Sequence, residues 1–109
     1  MTETISKSSP PRSRRLLHTG PLTVYDADAF KIQLQAMLEH PDAGDWEMDL
    51  AQVTEVDTAG LQLLLLAQRE SRRQRRTLRI AASAAVLEII RFCELDDFFR
   101  DALTPGTRS

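Results

Sequence analysis

Thr58 follows Asp57 and precedes Ala59 and Gly60, where an alternating apolar stretch gives way to a Leu-rich one. This is the place in the 109 residues where residue type and position point to chemistry. The first N–H groups of a helix lack intrahelical partners and lie at the positive end of its dipole, so a phosphoryl group on a hydroxyl in that turn is accommodated. Thr58 is the hydroxyl of this turn. Two readings stay open: Thr58 is a phosphoacceptor, or its hydroxyl is an ordinary N-cap that accepts from the helix backbone. Gly60 supplies close packing or backbone freedom, at a cost of about 1 kcal/mol in a helix interior.

Catalysis finds little support. General acid/base and nucleophilic mechanisms need a tuned pair in hydrogen-bond reach, usually with a histidine. His18 lies in an early strand and His40 precedes Pro41, and neither belongs to a catalytic motif. Asp57 and Thr58 lack a suitable base, and Gly60 stands alone where a phosphate-binding loop would need several glycines. The expectation is a chain that is not an enzyme. One cysteine, Cys93, and two histidines cannot build a zinc site or an internal disulfide, and no cofactor is expected. Cys93 falls in an apolar stripe and reads as a small buried hydrophobe.

The elements that hold the turn are legible from periodicity. Trp46, Met48 and Leu50 alternate with Glu47 and Asp49, the period of a strand with one buried face. Val53 and Val56 carry the apolar signal on, residues 58 to about 75 are helical, and Leu78 and Ile80 alternate again. Strand, helix, strand in that order implies a parallel crossover. Upstream, Leu16, Leu17, Leu22, Val24 and Tyr25 flank Gly20 and Pro21, which reads as two short strands around a tight turn. Phe30, Leu34, Met37 and Leu38 form a helical stripe capped by Asp26 or Asp28 and stopped by Pro41. Downstream, Ser83 can cap a helix holding Val86, Leu87, Ile89, Ile90 and Cys93, with Leu95, Phe98, Phe99 and Leu103 in a last helical turn or two. The expected fold class is α/β, a small sandwich with helices packed on one face of a mixed sheet of about four or five strands.

The central helix has two apolar sides at its start. Leu61, Leu64, Leu65 and Gln68 cluster on one, and Ala59, Leu63, Leu66 and Glu70 on the other. Either neighbouring helices cover both sides, or the second is an exposed patch beside Thr58 that docks a partner. Arg69, Arg72, Arg73 and Arg76 share a helical face, read as a solvated, dipole-complementing face or as a surface for an acidic protein or anionic lipid.

A chain of 109 residues and 12.3 kDa with 42% hydrophobic residues forms one small domain. Residues 1–15, rich in Ser, Pro and Arg, read as a disordered basic arm, 16–104 as the domain, and 105–109 as a flexible tail. Net charge is -2, yet residues 16–60 are strongly acidic and 61–79 strongly basic. Such asymmetry suits different partners on different surfaces. Nucleic acid is not expected, because the balance is acidic and no aromatics interleave the arginines. The longest uncharged window, residues 58–68, is far shorter than the roughly 20 apolar residues of a membrane span. With no apolar signal-peptide core after Arg12, Arg14 and Arg15, a cytoplasmic location is expected.

The run 48–64, MDLAQVTEVDTAGLQLL, resembles the central motif of STAS domains, the fold of bacterial anti-sigma factor antagonists. The wider likeness covers about 16–103 and includes the Gly20, Pro21, Leu22 turn. The resemblance implies a non-enzymatic signal-transduction switch in which Thr58 is phosphorylated by a partner serine/threonine kinase of the GHKL type. Asp57, Thr58, Ala59, Gly60, Leu63 and Leu66 would then form the partner-binding surface. Many antagonists have a second hydroxyl where Ala59 stands and an acidic residue where Thr23 stands. Other members of the family serve as cytoplasmic subunits of lipid-transport ABC complexes, or accompany chemotaxis components. In those, an ABC ATPase or a chemotaxis protein is the partner and Thr58 would be a contact residue.

Overall fold

Alternation in the sequence becomes a sheet with one buried and one solvated face. A computed structural model describes residues 15–40 and 44–104. The order is β1 (Arg15–Leu17), β2 (Gly20–Leu22), α1 (Ala27–Leu38), β3 (Trp46–Leu50), β4 (Val53–Val56), α2 (Thr58–Gln74), β5 (Leu78–Ala82), α3 (Ala84–Phe92), α4 (Asp96–Phe99) and β6 (Leu103–Thr104). One sheet has the strand order β1-β3-β5-β6, and β2 and β4 form a second. The α/β class holds. Among the described residues every pairing is parallel, however, which corrects the expected mixed sheet. The Gly20–Pro21 pair makes no reversal; Gly20, at φ +81°, and Pro21 lie inside β2 at an irregular register step. The chain thus passes from one sheet to the other without turning back.

Trp46, Met48 and Leu50 of β3 and Leu78, Ile80 and Ala82 of β5 point into the core. Phe30, Leu34 and Met37 of α1 and Leu61, Leu64 and Ala67 of α2 belong to the same cluster. The intervening Glu47 and Arg79 are exposed, so the helices cover one face of the larger sheet. Burial of these large side chains contributes roughly 1.5–3 kcal/mol each and is the main stabilising term.

Local signals place most boundaries. Asp26 stands at the N-cap of α1, but its carboxylate makes no capping bond and instead accepts from Thr23. Ser83 Oγ does cap α3, accepting from the Val86 N–H at 3.2 Å. The last apolar segment divides: Phe98 and Phe99 lie in α4, whereas Leu103 joins β6 beside Ile80. Cys93 is exposed, contrary to its expected burial, because α3 ends at Phe92 and Cys93 is its C-cap. Residue 15, assigned to the arm by composition, opens β1, while the rest of that arm, Pro41 and the tail 105–109 lie outside the described residues.

Candidate functional site

β4 delivers the chain to α2 through Asp57, whose extended backbone and carboxylate make it the N-cap. Asp57 Oδ1 accepts from the N–H groups of Ala59 and Gly60 at 3.0 and 3.1 Å. Its Oδ2 reaches across to the β2–α1 loop and accepts from the Val24 N–H at 2.9 Å. One carboxylate therefore closes the helix start and ties it to a loop 33 residues away in sequence. These donors favour the anion and hold the Asp57 carboxyl below its ordinary range, Val24 contributing most and Gly60 next.

This geometry separates the two readings of Thr58. The cap is Asp57, so the Thr58 hydroxyl has no capping role and stands at the first helical position, exposed. Among the described residues it has no hydrogen-bond partner. The same geometry corrects the expected anion cradle. The N–H groups of Ala59 and Gly60 that would greet a phosphate already serve Asp57. A charge added at residue 58 would meet a fixed carboxylate rather than vacant donors.

Gly60 has a steric reason to be glycine. A Cβ there would lie 2.3 Å from the Leu22 carbonyl oxygen and 3.0 Å from side-chain atoms of Leu22 and Val56. That carbonyl also accepts from the Asp57 N–H at 3.4 Å, so the close approach belongs to the same turn. Ala59 and Leu66 are half-buried, Leu66 being packed against the core, and Leu63 is buried at 9% exposure. Neighbouring elements thus cover most of both apolar sides of α2, leaving part of Ala59 and Leu66 exposed. Leu63 supports the turn from beneath and presents little surface to a partner.

The exposed apolar groups beside the turn are instead Val24 and Tyr25, 59% and 94% exposed. Their loop is fixed by the Thr23 N–H and hydroxyl, each donating to Asp26 Oδ2 at 3.0 Å, and by the Asp57 bond to Val24. Periodicity alone reads Val24 and Tyr25 as strand. Asp26 immediately after them, able to fold a loop back on itself, is the signal that could have flagged them.

The arginines of α2 and of the turn that follows it have largely internal duties. Arg72 stacks on Phe98 at 4.7 Å and donates to the Phe98 carbonyl at 2.8 Å. Arg76 lies 4.2 Å from the Trp46 ring centroid and donates to the carbonyls of Gly44 and His40. Arg73 pairs with Glu70 at 2.7 Å, and this bond, followed by one from Gln74, holds the Glu70 carboxyl below its ordinary range. His18 Nε2 donates to the Pro21 carbonyl at 2.7 Å and its ring meets Phe30 edge-on, a structural role. Among the described residues no group of three or more His, Cys, Asp and Glu could hold a metal ion. No described helix is long and apolar enough to cross a membrane.

The described chain is thus a small α/β domain of parallel strands whose central helix opens on an exposed threonine behind an aspartate cap. The family described as "Mlab, STAS domain" matches residues 5–105, and the chain belongs to the STAS family. No curated protein gives a significant match.

Proposed function

We propose that this chain is a non-enzymatic regulatory module that binds a protein partner through the turn at Asp57, Thr58, Ala59 and Gly60, and that a serine/threonine kinase switches this binding by phosphorylating Thr58. The observation that carries the reading is the division of labour at the helix start: Asp57 caps, leaving the exposed Thr58 hydroxyl available. Val24 and Tyr25 extend the docking face on one side, and Leu66 contributes its exposed edge on the other.

A phosphoryl group adds about -1.5 to -2 charge. Beside the Asp57 carboxylate, whose anionic form its N–H donors favour, it would set a concentrated negative field on the docking face. An acidic partner surface would be repelled, and an apolar one would bear the cost of desolvating the phosphoryl group, with no refolding of the domain. The partner of this reading is an anti-sigma factor or its kinase. Thr58→Glu should abolish partner capture in a pull-down while leaving the circular dichroism spectrum and melting curve close to the parent's. Undiminished capture by this variant would refute switching at residue 58.

Membership of the STAS family also admits a second reading, the one the resemblance offers beside the first: a subunit of a lipid-transport ABC complex with Thr58 as an unmodified contact. Under it the captured protein is an ATPase, and Thr58→Ala, which keeps the charge but removes the hydroxyl, already weakens the complex. In the switch reading Thr58→Ala binds normally and is insensitive to kinase.

A further inference from the structure

A groove of about 400 Å³ runs between β4 and α3, apart from the Thr58 hydroxyl. Its half-buried lining is apolar, with Val56 from β4 and Ala85 and Ile89 from α3. Phe92 stands at the end of α3 with 87% of its surface exposed. Glu55 and Glu88 line the groove as exposed carboxylates, and among the described residues no lysine or arginine lines it. Neither glutamate has an ion-pair partner among the described residues, although Arg91 follows Glu88 by one helical turn. This contrasts with the outer face of the larger sheet, where Glu47 pairs with Arg15 and Asp45 with Arg79. On β4, β2 occupies one edge and no described strand pairs with the other.

We propose that this groove docks a basic segment of a partner protein, which places one large apolar side chain against Ile89 and Phe92 and its cationic residues against Glu55 and Glu88. The apolar lining supplies burial energy, and the two carboxylates select the sign of charge. An anionic membrane surface would be repelled by the same carboxylates. The inference is independent of Thr58 modification, since that hydroxyl does not line the groove.

The test uses a short fluorescent peptide with Lys and Arg on both sides of a Leu–Phe pair, and a counterpart with Glu in place of each basic residue. Anisotropy titrations should show saturable binding of the basic peptide alone. Binding should weaken on the order of tenfold in Glu55→Lys/Glu88→Lys, and also in Phe92→Ala. Amide shifts in the NMR spectrum should concentrate at Val56, Ala85 and Ile89. All three substituted side chains are exposed, so the variants should keep the parent's melting temperature. Equal binding of both peptides, binding of neither, or shifts centred elsewhere would overturn the proposal. Concentration-dependent dimerisation abolished by Phe92→Ala would assign the groove to a second copy of the chain and overturn it as well. Loss of peptide binding in Thr58→Glu with the groove variants unaffected would move the site to the α2 turn.

Discussion

At the scale of single residues, the turn before α2 is organised by a carboxylate that satisfies three N–H groups of its own chain. The depressed Asp57 pKa has a definite sign. Its contribution to stability is complete above the ordinary value of 3.8 and is lost as pH falls through the lower folded-state value. Asp57→Asn should therefore melt below the parent at neutral pH, with the difference shrinking as acid titrates the parent's carboxyl. A difference in melting temperature that stayed constant through that range would show that the charge is not what the N–H groups hold. Gly60→Ala should destabilise by about 1–3 kcal/mol, because the added methyl meets the Leu22 backbone rather than a side chain that can swing away. Urea unfolding measures this, and a neutral result would mean that β2 yields easily.

At the scale of elements, α2 is tied down at both ends. Asp57 clasps its start to the β2–α1 loop, and Arg75, in the left-handed region at φ 57°, ends it by returning its N–H to the Arg72 carbonyl. Arg76 then spans to Trp46, Gly44 and His40. Arg76→Ala should cost roughly 1–2 kcal/mol, while Arg69→Ala, at an exposed position, should stay within about 0.5 kcal/mol. Equal losses in chemical denaturation would return these arginines to a generic solvated face. The larger sheet raises a related question, since parallel sheets are usually covered on both faces. Here the open face carries a row of Arg15, Glu47 and Arg79 in register across three strands, and such cross-strand charge alternation keeps an uncovered sheet hydrated.

Elements with a long repeat were readable from sequence, among them α1, α2, β3 and β5, because each buries one face and alternates or spirals accordingly. Strand direction was readable for β3 and β5, whose intervening helix implies a parallel crossover, but not for β2, since a three-residue strand has the same pattern whether its neighbour runs parallel or antiparallel. Cys93 was misjudged for a similar reason: a stripe continues on paper after the helix has stopped, and the left-handed Glu94 turns the chain away. The turn at Thr58 was locatable because hydroxyl, glycine and Leu-rich helix are local in sequence. Asp57 caps through bonds two and three residues away, whereas the placement of Val24 and Tyr25 beside the turn depended on a contact across 33 residues that no local pattern encodes.

At the scale of the whole molecule, the -2 net charge hides surfaces of different character. Arg72 and Arg73 of α2 and Arg76 just after it are engaged with Phe98, Glu70, Trp46 and backbone carbonyls. The groove between β4 and α3 is acidic at its rim, and the turn at residue 58 carries the fixed Asp57 anion. Under the proposed reading, the turn and the groove would take different partners without a change of shape, and a single added charge beside Asp57 would remove one of them. The most direct measurement is a calorimetric titration of the captured partner into unmodified chain and into chain carrying phosphothreonine at position 58. The account predicts saturable binding to the first and none detectable to the second, with both forms equally folded; equal affinity for the two would contradict it.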